Sequence, residues 1–177
     1  QALDEIAERK PSVVTGAYRE LESERLTRLT NSWLLIDAQR APFEKVVTEK
    51  RTIASIGGIN FRVRIDRQDT LEDGSLAVID YKSTAPSVST WFGERPEEPQ
   101  LPLYVAANQN GQQVGAVLFG QMKTGETAYK GIAQKEKVIN PKSKAFDESR
   151  EASHADQWDN IVPAWGGIIN DLANDYR

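Results

Sequence analysis

The chain has no cysteine and a single histidine among its 177 residues, and these two shortages exclude whole classes of chemistry. Without cysteine it carries no disulfide framework, no thiolate-held zinc and no iron–sulfur cluster, and a reducing, cytoplasmic setting is the natural expectation. The one histidine, His154, stands in the polar stretch Ser153–Asp156, which does not read as a His-rich metal cage or a histidine-based hydrolytic triad. Any metal chemistry must therefore rest on oxygen ligands. Apolar runs such as Trp33–Ile36 fall far short of the roughly 20 residues a membrane span needs, so no membrane role is expected. No basic segment followed by an apolar one opens the chain, and it begins at Gln1, so it reads as an internal part of something longer. Net charge is −4, with 22 basic against 26 acidic residues, so charge balance alone does not suggest a nucleic-acid partner. With 39% apolar residues, the length suits one domain, 1–177, with a workable core.

The apolar positions Tyr18, Leu21, Leu26, Leu29, Trp33 and Ile36 predict an amphipathic helix over Ala17–Arg40, stopped by Pro42; a short helix at Leu3–Arg9 precedes it. Phe43–Ile56 is rich in strand-forming residues. After Gly57-Gly58, Ile59, Phe61, Val63 and Ile65 alternate with Asn60, Arg62, Arg64 and Asp66, which predicts a half-buried strand. Asp73-Gly74 signals a turn, and Leu76–Lys82 returns as the second arm of a hairpin, with Leu76, Val78, Asp80 and Lys82 on one face. A helix over Gln100–Asn108, strands at Val114–Met122 and Glu126–Gln134, and a polar, basic loop at Lys135–Lys144 follow. The last helix carries Trp158, Ile161, Trp165, Ile168, Leu172 and Tyr176 at helical spacing, with a kink or split expected at Pro163 and Gly166-Gly167.

Chemistry concentrates on the hairpin. Two acid-x-Lys triplets occur, Glu8-Arg9-Lys10 and Asp80-Tyr81-Lys82, and only the second lies on an expected strand, where residues two apart share a face. A turn near Asp73 pairs residues whose numbers sum to about 146, which sets Asp66 opposite Asp80. Two carboxylates so placed would repel by about 3 kcal/mol at an effective dielectric of about 20. Lys82 could offset them, and so could a divalent cation, for which an all-oxygen set favours magnesium or manganese. Spacing alone leaves open a solvated set of cross-strand ion pairs with Arg62 and Arg64.

The segments Gly57-Gly58, Arg64-Ile65-Asp66-Arg67, Val78-Ile79-Asp80-Tyr81-Lys82 and Gln100-Leu101-Pro102-Leu103-Tyr104, in this order and spacing, resemble the RecB-like branch of the PD-(D/E)XK nuclease superfamily. Trp33-Leu34, Arg40-Ala41-Pro42-Phe43 and Trp91 add a likeness to bacterial DNA repair proteins whose nuclease domain is similar to that of the helicase-nuclease subunit AddB. The resemblance spans roughly Tyr18–Ala133. It implies an α/β, restriction-endonuclease-like core with a mixed β-sheet flanked by α-helices. It further implies an exonuclease-like, metal-dependent deoxyribonuclease, using Mg2+ or Mn2+ on DNA, chiefly single-stranded, beside a helicase-type protein or domain. Asp66 and Asp80 would match the metal-binding acids, aided by the backbone carbonyl of Tyr81. Lys82 would match the lysine that orients or activates the attacking water and offsets charge on the scissile phosphate, and Gln100 and Tyr104 the Q-x-x-x-Y motif near the DNA backbone.

The chain departs from the family in two ways. No histidine stands on a helix before the first strand, where Glu20, Glu22 and Glu24 are the acids on offer, and the cysteines that hold AddB's iron–sulfur cluster are missing. Trp33, Trp158 and Trp165 read as core. Trp91 reads as core or as a stacking platform for a base, and Lys135, Lys137, Lys142 and Lys144 as a solvated loop or a phosphate grip. The rivals are a catalytically silent nuclease-like module that binds DNA or a repair partner, and a small-molecule enzyme with an unrelated acid pair.

Overall fold

A computed structural model describes residues 16–107, 111–149, 153 and 157–175. The expected helix at Leu3–Arg9, His154 and Tyr176 lie outside the described residues. Helix α1 (Gly16–Asp37) leads into strands β1 (Phe43–Ile56), β2 (Ile59–Leu71) and β3 (Leu76–Lys82). Helix α2 (Gln100–Ala106), strands β4 (Val114–Gln121) and β5 (Ala128–Ala133), and helix α3 (Trp158–Asp175) complete the order.

The five strands form one sheet in sequence order, antiparallel except for the parallel β3–β4 pair. That pair is joined through α2, as a parallel connection requires a crossover. The sheet is mixed, flanked by helices, an α/β arrangement of the restriction-endonuclease-like kind.

Two cores lie on its two faces. On one, Val63, Ile65, Val78, Val117, Phe119 and Ile132 pack with Leu101, Tyr104 and Val105 of α2 and with Trp158, Ile161 and Trp165 of α3. On the other, Ala77, Ile79, Ala116, Leu118 and Tyr129 pack against Trp33 of α1. Strand β4 is buried along its whole length, which suits a strand covered on both faces. Trp91 belongs to the first core: it is fully buried against Phe119 and Trp165, and its carbonyl accepts from Trp165 Nε1, so it is no platform for a base.

Four expectations need correction. Along α1 only Leu29 and Trp33 are buried, while Tyr18 and Leu21 are exposed, because the helix meets the sheet only through its second half. In α3 the buried stripe is Trp158, Ile161, Trp165, Ile169 and Ala173, not Ile168 and Leu172, and the helix runs unbroken through Pro163 and Gly166-Gly167. From Ile161 onward, steps of four rather than three keep that stripe over the sheet. Strict alternation also fails in β2. Val63 and Ile65 pack in one core and Leu71 in the other, although all three numbers are odd. The phase changes where the β1–β2 ladder skips the Glu49/Asp66 position and Glu49 takes a left-handed φ of 53°. Helix α2, expected to Asn108, is Gln100–Ala106.

Candidate active site

The β2–β3 ladder runs from Thr70↔Leu76 to Arg67↔Ile79, so its register sums to 146 as the turn predicts. The next step would be Asp66↔Asp80, and there the carboxylate intervenes. Asp66 Oδ2 accepts from Tyr81 N–H at 2.9 Å, capping β3 where β2 leaves it. Asp80 and Lys82, two residues apart, point to the face that α2 covers. Lys82 Nζ stands 3.0 Å from Asp80 Oδ2 and donates to Gln100 Oε1 at 2.7 Å.

Gln100 closes the arrangement. Its Nε2 donates to Asp80 Oδ1 at 2.7 Å and to the Tyr104 hydroxyl at 2.8 Å. A four-residue spacing on α2 sets Gln100 and Tyr104 side by side. The structure thus brings Asp66, Asp80, Lys82, Gln100 and Tyr104 into one cluster at the C-terminal end of β3.

The electrostatics are uneven. Asp80 is buried, and Oδ2 makes no regularly angled hydrogen bond within the chain. Burial pushes its pKa up, the Lys82 ammonium opposes that, and the nearby Asp66 carboxylate adds to it. Burial likewise raises the Tyr104 phenol, against the pull of the Gln100 hydrogen bond, and so keeps it neutral. Lys82 keeps 28% of its side chain exposed; it donates to Gln100 and pairs with Asp80, which leaves donor capacity toward the opening.

Behind this cluster lies a second one that the sequence reading missed. Tyr81, between Asp80 and Lys82, points to the opposite face and packs edge-on against Trp33 at 5.3 Å. Gly120, its ladder partner, admits that packing: a Cβ there would lie 2.6 Å from the Tyr81 ring. The Tyr81 hydroxyl accepts from Arg67 at 3.4 Å. Asp69 accepts from Arg67 Nε and from Arg40 Nη1, both at 2.7 Å, and Asp37 accepts from Arg67 at 3.0 Å and from the Tyr129 hydroxyl at 2.7 Å. Desolvation opposes the charge on both arginines, yet their acid partners and Tyr129 raise both above the ordinary arginine value. The Arg67/Asp69 alternation within a strand otherwise built for burial was the available signal. Gln121 was also missed: it accepts from Ala85 N–H and Lys130 and donates to the Glu126 carbonyl, fixing the loop that leaves β3.

The other candidates lie elsewhere. Glu22 and Glu24 pair with Arg25 and Arg28 on the solvent side of α1, and Glu20 is exposed there too. Lys135 and Lys137 pair with Asp73 and Glu136. Among the described residues no three of His, Cys, Asp or Glu gather, so the oxygen set here is the Asp66/Asp80 pair and the backbone beside it. It fits a hard divalent cation: magnesium is usually held by one or two carboxylates and keeps several waters, and Asp80 offers a buried oxygen without a regular hydrogen bond.

No curated protein matches the sequence. Among solved structures, one titled "Crystal structure of SSO0001" is similar at 14% identity and a TM-score of 0.35, covering 95% of this chain and 69% of that one. The profile of the PD-(D/E)XK nuclease superfamily, whose members generally use divalent metals, matches residues 1–174, and the chain belongs to that superfamily.

Proposed function

We propose that this chain is a divalent-metal-dependent deoxyribonuclease of the RecB/AddB-like kind, with Asp66, Asp80 and Lys82 as catalytic residues. In this reading Asp66, Asp80 and the Tyr81 carbonyl hold Mg2+ or Mn2+, and Gln100 and Tyr104 lie along the DNA backbone. The observation that carries it is the Asp80–Lys82–Gln100–Tyr104 chain of contacts, closed on one side by Asp66 and open where Lys82 is exposed.

A phosphodiester is an anion attacked by water, so hydrolysis needs charge neutralisation and a positioned nucleophile. The cation, when bound, withdraws charge from the scissile phosphate and acidifies the attacking water. Lys82 supplies a point charge with a spare donor for a phosphate oxygen or for the water. Gln100 holds the Lys82 and Asp80 side chains in one geometry, which removes the reorganisation they would otherwise undergo. Neutral Tyr104 accepts from Gln100 and keeps its own O–H for a substrate oxygen.

The surrounding role follows the resemblance: exonuclease-like cleavage, chiefly of single strands, in cytoplasmic DNA repair, by one domain of a longer protein that works with a helicase-type partner. The test is cleavage of end-labelled single-stranded DNA by the purified chain with Mg2+ or Mn2+ and with chelator. Asp80→Ala and Lys82→Ala should each lower the rate by at least about 100-fold. Equal cleavage in both variants would refute the assignment, and binding without cleavage by the unaltered chain would identify a silent nuclease-like module.

A further inference from the structure

Beyond the Arg67↔Ile79 step, β3 no longer accompanies β2, and residues 50–65 continue as a two-stranded ribbon. Seven residues a side, from Lys50↔Ile65 to Ile56↔Ile59, reach about 23 Å. Such a ribbon is marginal alone, but one face is supported. Ala54 and Val63 are buried there, Ile56 and Phe61 pack on the same core, and Gly57 lies so close to α3 that a Cβ would stand 2.6 Å from Ala173.

The other face is bare. Arg51, Ile53 and Ser55 lie opposite Arg64, Arg62 and Asn60, and all six are exposed. Residues 50–65 hold four basic side chains and no acid, in a chain of net charge −4. Arg64 pairs with Glu49, whereas Arg51 and Arg62 have no ion-pair or hydrogen-bond partner among the described residues. Directly opposed like charges, Arg51 and Arg64, weaken a ribbon by themselves. Their arrangement makes sense with an anion laid along them. Arg51, Ile53, Arg62 and Arg64 also line a shallow depression of about 420 Å³ on this face.

We propose that this arginine face is a sequence-independent docking surface for the phosphate backbone of nucleic acid, on the side of the sheet opposite to the Asp80/Lys82 cluster. The inference rests on the nuclease reading of the Asp66/Asp80 site for its ligand, nucleic acid. Arg62 and Arg64 alternate with Val63 and Ile65, which pack in the core under α2 and α3, so the arginines stand on the opposite side of the sheet from Asp80 and Lys82. The charge pattern favours phosphates over a particular base sequence, because exposed guanidiniums on a flat ribbon read charge and leave base edges unread.

The test is fluorescence anisotropy of the whole chain with a labelled single-stranded oligonucleotide, in chelator so that nothing is cut, across a range of salt. Each arginine engaged with a single strand contributes about 0.7 to the slope of log affinity against log salt. Replacing both free arginines (Arg51→Gln with Arg62→Gln) should therefore lower the slope by about 1.4, so tenfold dilution of salt strengthens the unaltered chain about 25-fold more than the variant. Arg51→Lys with Arg62→Lys should retain most of the slope, and Arg95→Gln, which only breaks an exposed pair with Asp175, should leave it unchanged. An unaltered slope and affinity in the double glutamine variant would overturn the proposal, while cleavage by the unaltered chain would still support the nuclease reading. Binding that depends on the two arginines, in a chain that never cuts, would uphold the ribbon and sink the nuclease. Capture of a polyglutamate peptide with no capture of the oligonucleotide would overturn the ribbon proposal in favour of an acidic protein surface.

Discussion

Replacing Asp69 with Asn tests the most demanding interaction in the molecule. The Asp69 side chain is fully buried, and it accepts from Arg40, also fully buried, and from Arg67, 10% exposed, each at 2.7 Å. With Asp37, the two aspartates balance the two arginines. Arg40 has little polar reserve, since its Nε and Nη2 are buried without partners and its other hydrogen-bonding contacts are Asp37 at 3.4 Å and the Tyr129 hydroxyl at 3.2 Å, beside the Phe43 and Tyr129 rings. The substitution leaves a buried excess positive charge and turns an amide N–H2 toward a guanidinium. Breaking one side of a buried pair costs about 3–5 kcal/mol, a large part of the 5–15 kcal/mol that typically holds a domain together. The melting temperature should fall by about 6–20 °C, and the urea midpoint should drop with its slope unchanged. In an Arg40→Met background the same substitution should cost at least about 1.5 kcal/mol less, because the stranded charge is gone. Arg64→Gln, which breaks an exposed pair with Glu49, should cost under about 1 kcal/mol. A loss of about 1 kcal/mol or less for Asp69→Asn, additive with Arg40→Met, would refute this account of the network.

Two further outcomes follow from the site and from the hairpin turn. If Asp66 and Asp80 hold a divalent cation with millimolar affinity, about 10 mM Mg2+ should add about 1.4 kcal/mol and raise the melting temperature by about 3–6 °C, which calorimetry reads directly. The rise should vanish when both acids are changed to Asn, and an equal rise in that variant would assign it to general ionic effects. At the turn, hydrogen bonds from Lys135 and from the Ser75 hydroxyl and backbone hold the Asp73 carboxyl down at about 2. A folded value below the ordinary 3.8 means that ionised Asp73 contributes stability above about pH 4, lost as pH falls through about 2. Asp73→Asn should therefore be the less stable protein at neutral pH, by under about 1 kcal/mol given the exposure of the pair, with the gap closing toward pH 2 in urea titrations.

The hairpin was legible because its information is local. Asp73-Gly74 fixes a turn, the turn fixes a register of 146, and the register sets Asp66 beside the end of β3. The i, i+4 spacing of Gln100 and Tyr104 needs only a helix. What stayed hidden depends on distant partners. The Asp37–Tyr129 bond joins residues 92 apart, and nothing around Asp37 distinguishes an acid that will meet two arginines from one on a solvated face. The same lack of partner knowledge made Tyr18 and Leu21 look like core, since a helical period reveals an apolar stripe without saying whether a sheet extends far enough to cover it. The change of phase in β2 is set by the left-handed Glu49 across the ladder, on another strand, so no reading of β2 alone could supply it.

The two faces of the β2–β3 junction treat charge in opposite ways, and the contrast bears on function. On the α1 face the arginines and aspartates cancel, and Arg67 ties β2 to the Tyr81 hydroxyl of β3. On the α2 face the formal sum of Asp66, Asp80 and Lys82 is −1, with Asp80 buried and its pKa held up by that burial. A desolvated negative excess is costly unless something outside the chain compensates it. Neighbouring residues of the same two strands alternate between these faces, so the rigid, neutral network behind keeps the carboxylates in front from separating to relieve their repulsion. In the proposed reading, a divalent ion held there would turn that −1 into +1, the sign that a phosphate requires. Under that reading the unpaired charge is the feature that would do the site's chemistry, and the compensated cluster behind it is what lets the fold hold it in place.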